Sequence, residues 1–424
     1  MTIFWITGLG LVLLAYWRPM VAVAVLNLLW PAYLVRTSVS GIPTTLLEVS
    51  LYAVSLGVII SLWRKRWPRP KIPADRTLWW LLLWWSGSWI IATLFSPDIR
   101  ASLGALKAWW FDPLLFAGLL WVVVRTATER TLLIRSLVSS AAVVAVAGLY
   151  QLGFVRNTLQ EGRLSSFFTP VANYAAMYLA PLLVFGVALA LFRTLQKAWW
   201  VLLFVIGLAL LATLSYGGFA AAVAGGFVAW LFLPATRLKR NIALATIILL
   251  IIGGGILATT KNFRQHFDAD RSSGSVRRQI WVTSWALITK HPLLGVGPNA
   301  YEVAYRQELP KHYFPPLEWD VAQPHNLALA LWLETGLAGL LAAITIVVYF
   351  FRRLSRHWQN ISQRPYTIAA LAAFVAILVH GIVDTPFLKN DLALLAVAIM
   401  MIPWVGRMED GAEISRAVHQ VNRK

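Results

Sequence analysis

The string Gln323-Pro324-His325-Asn326-Leu327 concentrates the side chains best suited to chemistry. Pro324 closes a polar stretch, and Leu327 opens a long apolar run. His325 and Asn326 therefore stand at the start of an apolar helix. A helix N-terminus carries partial positive charge and disfavours an imidazolium. A histidine held neutral there can accept a proton near pH 7. The same position also suits a histidine that merely caps the helix. Glu334 lies nine residues on, about 13 Å deeper along a helix. An acid at that depth needs a partner or a wet cavity. Its simplest partner is a polar group on another helix, with Gly336 and Gly339 allowing close packing. Arg277 and Arg278 add a pair of guanidiniums, whose planar forks suit phosphate. A solvated pair or a lipid-headgroup contact fits them as well. Arg163 precedes Pro170 and Asn173 and, taken alone, is an interfacial anchor.

Other chemistries lack their residues. The chain has no cysteine, hence no thiolate nucleophile and no disulfide. HExxH, the Walker lysine loop and GxSxG are missing, and the seven histidines have no ligand spacing. Asp268-Ala269-Asp270 is one acidic triplet in a polar stretch and says little. The expectation is no metal and no cofactor.

These groups need elements to hold them. Of 424 residues, 59% are hydrophobic and 13% charged. A soluble domain is nearer half apolar. The apolar residues come in blocks of about 15 to 22, the length that crosses roughly 30 Å of hydrocarbon. The 22 tryptophans fit interfacial belts. The expected fold class is all-α, a polytopic integral membrane bundle with spans at 20–35, 45–63, 77–95, 104–124, 136–155, 170–192, 198–214, 217–234, 241–259, 326–350, 367–385 and 389–405. That makes about twelve, or thirteen if 3–17 is a separate span. No cleavable signal peptide is expected, because the first block lacks a basic lead.

The net charge of +19 belongs to loops rather than to a nucleic-acid surface. On alternate sides of the spans, one set of loops carries 22 Lys and Arg, and the short connections opposite carry five. The rich side is assigned to the cytoplasm. Residues 260–325 then form the one long extracytoplasmic loop, between spans 1–259 and 326–406, and 407–424 is a cytoplasmic tail. A loop this long is functional or disordered. Val276, Ile280, Ser284, Leu287 and Ile288 predict an amphipathic helix inside it, flanked by Trp281 and Trp285. Such a helix lies on the outer leaflet or over the bundle mouth. His291-Pro292 ends it and Gly295-Val296-Gly297-Pro298 turns the chain.

Together these strings resemble the O-antigen ligase and O-antigen polymerase superfamily. The likeness rests on Arg277-Arg278-Gln279-Ile280-Trp281, His291-Pro292-Leu293-Leu294-Gly295-Val296-Gly297, and His325-Asn326 followed by Glu334-Thr335-Gly336-Leu337-Ala338-Gly339. The spacing fits an H-N-x(7)-E-x-G-x-x-G signature. Arg163 to Asn173 and His380-Gly381-Ile382-Val383-Asp384, placed in a late span, are further echoes. The likeness covers most of 160–405, and residues 1–75 match only in hydropathy.

The resemblance implies a GT-C-like, metal-independent glycosyltransferase in the bacterial cytoplasmic membrane, with its active site on the extracytoplasmic side. Its donor would be a glycan on undecaprenyl pyrophosphate. Its acceptor would be a glycolipid in ligases, a lipid-linked glycan in polymerases, or a protein hydroxyl in related oligosaccharyltransferases. His325 would be the base. Arg277, or Arg278 beside it, would bind the pyrophosphate, with Arg163, Asn326 and Tyr216 as further substrate contacts. Glu334, Asn173 and Asp384 would have secondary roles. The family often has Ser-Arg-Gly where this chain has Ser215-Tyr216-Gly217. Tyr216 brings no positive charge, so Arg163 supplies it or the donor site differs. A transporter or lipid flippase is the competing class. It is disfavoured because no internal repeat is evident and the polar residues gather at the outer edge. A scaffold in an envelope complex is the third reading.

Overall fold

The computed structural model describes residues 2–39, 42–67, 70, 73–159, 162–192, 196–232, 241, 273–356 and 360–406. The expected span 241–259 beyond its first residue, the Asp268-Ala269-Asp270 triplet and the tail lie outside these residues.

The molecule is a helical bundle with one small hairpin. Helices α1 (Thr2–Trp17) and α2 (Pro19–Leu28) are separate, divided at Arg18-Pro19. The block expected at 20–35 is therefore not one helix. After Leu28 it tightens into a 3₁₀ turn, Trp30–Leu34, and pairs strands β1 (Arg36–Val39) and β2 (Ile42–Thr45). Strands this short leave little signal beside long apolar blocks. Helix α3 (Leu46–Trp63) starts at a capping box, in which Thr45 and Glu48 satisfy each other's backbone N–H groups. Thr126 and Glu129 do the same for α7 (Ala127–Phe154). Between them run α4 (Arg76–Leu94), α5 (Ile99–Leu106) and α6 (Asp112–Val123), the last two joined by a π-turn.

Helix α8 (Ala172–Leu191) is the axis of the bundle, apolar on every face and 83% buried. It packs against α7, α9 (Trp199–Ala212) and α10 (Tyr216–Leu231). Facing the other way, Ile3, Trp5, Ile6, Leu9 and Leu13 of α1 are exposed, as a lipid-facing surface requires. Helix α1 approaches α3 closely at Gly57, where a Cβ would meet the Val12 carbonyl at 2.4 Å. Small residues permit such contacts in membranes. Among the described residues six helices are long and apolar enough to cross a bilayer, and six shorter apolar helices accompany them. The chain is a multi-pass membrane protein.

The segment 273–326 folds on its own small core. The expected amphipathic helix is α11 (Ser273–Lys290), and it buries Ile280, Ser284, Leu287 and Ile288. With α12 (Tyr301–Glu308) it encloses Val296, Tyr301, Tyr305, Leu309 and Val321 against Leu333 of the next helix. Glu308, 5% exposed, ties the far end together by accepting from Lys290, Lys311 and His312. Burial works to raise the pKa of Glu308, but these three donors outweigh it and hold it at about 2.

Helix α13 (Leu327–Arg356) is broken at Gly336, whose φ of 70° and ψ of −178° are open essentially to glycine alone. The break is filled by main chain from the outer segment. Val296 and Gly297 donate to the Leu333 carbonyl at 2.7 and 3.2 Å, and Leu337 donates to the Pro292 carbonyl at 3.2 Å. Glu334, buried, accepts from the Asn299 N–H at 2.5 Å. Glu334 thus has its polar partner, on a loop rather than on another helix. Helix α14 (Arg364–His380) and α15 (Asn390–Met401) complete the bundle. The span expected at 367–385 ends at His380, so Asp384 lies in the following turn, not in a helix.

Candidate active site

Residues 323–327 run along the turn after α14 and are bonded to it at almost every step. Leu327 donates to the Gly381 carbonyl at 2.7 Å, and the Asn326 amide to that of Ile382 at 2.9 Å. His325 Nδ1 faces Asp384 Oδ1 at 3.2 Å. The Thr385 hydroxyl donates to Gln323 Oε1, and Gln323 Nε2 to the Leu388 carbonyl at 2.9 Å. Asn326 also begins α13, its Oδ1 accepting from Leu329 N at 3.0 Å.

Two features set His325 apart. Its φ of 47° is left-handed, uncommon for a side chain with a Cβ and frequent at functional sites. It is 39% exposed, whereas Asp384 is 6% exposed, so the ring is open on the side away from its carboxylate. Burial works to raise the Asp384 pKa. The His325 hydrogen bond, the nearby histidines and the Thr385 N–H outweigh burial and keep it below the usual carboxylate range.

Arg277 and Arg278 divide between two faces of α11. Arg277 Nε donates to the Val383 carbonyl at 3.2 Å, one residue from Asp384, and its guanidinium also binds Ser273 Oγ. Arg278 lines a groove of about 610 Å³ together with Gly274, Trp281, Val282, Trp285, Asn326 and Leu329. Trp281 is fixed there by donating to the Pro324 carbonyl at 3.1 Å. The groove adjoins His325 through Asn326.

Arg163 is a brace. It donates to the Thr213 carbonyl at 3.0 Å and to Asn173 Oδ1 at 2.7 Å, joining the α7–α8 connection to the end of α9 and the start of α8. Tyr216 is the first residue of α10 and is 40% exposed. Gly217 beside it faces His380 and Val383 so closely that a Cβ would meet them at 3.1 and 2.8 Å. The start of α10 thereby abuts the same turn that holds His325. His380 is 2% exposed and its Nδ1 has no hydrogen-bond partner among the described residues. Its four-residue spacing from Asp384 was the only sequence signal that it borders the site. Lys389, at the far end of the turn, gave no signal beyond being an outer charge. Among the described residues no three His, Asp or Glu side chains are grouped to hold a metal.

The chain is a multi-pass helical bundle in which an exposed histidine, its carboxylate and two arginines come together. The comparison with families narrows it: residues 200–344 match the family model described as O-Antigen ligase. The resemblance drawn from the sequence is borne out, and the matched stretch contains Tyr216, Arg277, Arg278, His325, Asn326 and Glu334. No curated protein matches the chain.

Proposed function

We propose that the chain is a glycosyltransferase of the O-antigen ligase type, acting at the outer face of a bacterial cytoplasmic membrane. It moves a glycan from undecaprenyl pyrophosphate to an acceptor hydroxyl. The observation that carries this reading is the pairing of residues 323–327 with the 381–388 turn, which seats His325 on Asp384 and Arg277 on the next carbonyl.

The Asp384 carboxylate takes a hydrogen bond from Nδ1–H, so Nε2 is the basic nitrogen. Nε2 removes the proton of the acceptor hydroxyl as its oxygen bonds to the anomeric carbon. The bond from that carbon to the diphosphate breaks. Undecaprenyl diphosphate leaves with the electron pair, and Arg277 and Arg278 meet the growing charge. The donor is already activated, so the reaction needs neither ATP nor a metal. The apolar wall of Trp281, Val282, Trp285 and Leu329 suits the first isoprene units, with Arg278 at headgroup level.

The test is reconstitution of the purified protein with an undecaprenyl-pyrophosphate glycan and EDTA, across glycolipid, lipid-linked glycan and protein acceptors. Transfer to a glycolipid is expected. Transfer only to a lipid-linked repeat or a protein would replace ligase by polymerase or oligosaccharyltransferase. A requirement for a divalent ion would end the mechanism.

A further inference from the structure

The turn after α14 gives the site a contact at each of five successive residues. The carbonyls of Gly381, Ile382 and Val383 accept from Leu327, Asn326 and Arg277. Asp384 holds His325, and the Thr385 hydroxyl donates to Gln323. A turn so loaded needs a fixed backing, because any shift in it moves the histidine and the arginine together.

The start of α10 supplies that backing. A Cβ built on Gly217 would stand 2.8 Å from Val383 Cγ2 and 3.1 Å from His380 Cδ2 and Nε2. Val383 thus turns its side chain to α10 and its carbonyl to Arg277. His380, with its ring buried, closes the turn by accepting from the Val383 N–H at 3.1 Å. The start of α10 is itself held. Arg163 donates to the Thr213 carbonyl, the Ser215 N–H to Thr213 Oγ1, and the Gly218 N–H to Ser215 Oγ. Gly217 lies inside the helix without a positive φ, so its backbone does not require glycine. Glycine is a poor helix residue, and the close approach is what the position uses.

Resting on the function proposed above, we infer that Gly217 is a positioning residue. Its missing side chain seats the 381–385 turn at the depth where Asp384 meets His325 and the Val383 carbonyl meets Arg277. Gly225 offers the comparison. It lies eight residues on, about 12 Å along the helix. A Cβ there would meet the Ala372 carbonyl of α14 at 2.5 Å, tightening the same helix pair away from the turn.

The experiment uses the full chain in nanodiscs of phosphatidylcholine. It measures steady-state glycan transfer, the thermal midpoint, and acylation of His325 by diethyl pyrocarbonate, read on its peptide by mass spectrometry. Acylation reports the His325–Asp384 contact whether or not glycan moves. Gly217→Ala is expected to lower kcat by about tenfold or more, since misplacement by about 1 Å can cost 10²-fold. His325 acylation should slow by about threefold, as loss of one hydrogen bond does. Val383→Ala added to Gly217→Ala removes the crowded methyl and should recover most of both. Gly225→Ala should lower the midpoint while kcat and acylation hold. Normal kcat and acylation in Gly217→Ala overturn the inference. So does failure of Val383→Ala to restore them, or an equal loss of kcat in Gly225→Ala. If the acylation pattern holds but the wild type transfers no glycan, the positioning role stands and the transferase reading falls.

Discussion

On the proposed reaction the two ring nitrogens of His325 have separate tasks, and each can be tested. His325→Ala should lower kcat by about 10²–10⁴-fold, the usual worth of a general base, with little change in donor binding. Normal turnover in this variant would remove the histidine from the mechanism. Asp384→Asn keeps the shape but presents an amide to Nδ1, which disturbs the tautomer. We expect a large loss of kcat and, in the double variant, no further loss beyond His325→Ala, because the two act as one unit. Additive losses would show that Asp384 acts elsewhere. Part of this was legible in the sequence: Pro324-His325-Asn326 before an apolar run marks a helix start, and α13 begins there. Asp384 was noticed but misplaced, because the apolar run through Leu378-Val379 carries no turn signal before Gly381. Its pairing with His325 across 59 residues is a tertiary fact that no local pattern contains.

Among the elements, the broken helix α13 makes the sharpest claim. Gly336→Ala would place a Cβ 1.9 Å from the Leu293 carbonyl on a backbone at φ 70°. Strain of roughly 1–3 kcal/mol adds to a clash of similar size. A loss of about 3 kcal/mol or more is expected, read as a lower thermal midpoint or failure to accumulate in the membrane. Gly87→Ala, with nothing within 4 Å, is the control and should be neutral. Equal behaviour of the two would refute the break. Hydropathy did not reveal it, since an apolar run reads the same through a φ of 70°, and Gly336 and Gly339 looked like close packing. The outer core carries a pH dependence. The Glu308 pKa falls from 4.5 to about 2 on folding, so its stabilisation is present above pH 4.5 and is lost as pH drops towards 2. The difference in thermal midpoint between wild type and Glu308→Gln should be full at pH 6 and shrink by pH 3. A constant difference would mean that the Lys290 and Lys311 contacts do not stabilise the fold.

For the whole molecule, the absence of cysteine makes topology directly measurable, since any introduced thiol is the only one. Leu293 and Ile361 are 70% and 84% exposed, and the loop charges assign them to opposite sides of the membrane. Leu293→Cys should react with an impermeant maleimide in intact cells; Ile361→Cys should react only after permeabilisation. The reverse pattern would place the site in the cytosol and end the proposed reaction. Charge asymmetry and block length were sufficient for the multi-pass plan, because both follow from the cost of burying charge in hydrocarbon. The filled gap in α13 bears on how this molecule meets its substrates. Six hydrogen bonds key residues 292–299 to the bundle helices, four of them at residues 333–337 around the break. The outer segment is thus built as a fixed anvil rather than a flap. On the proposed reaction, the carrier lipid would reach it sideways through the leaflet and the acceptor from above.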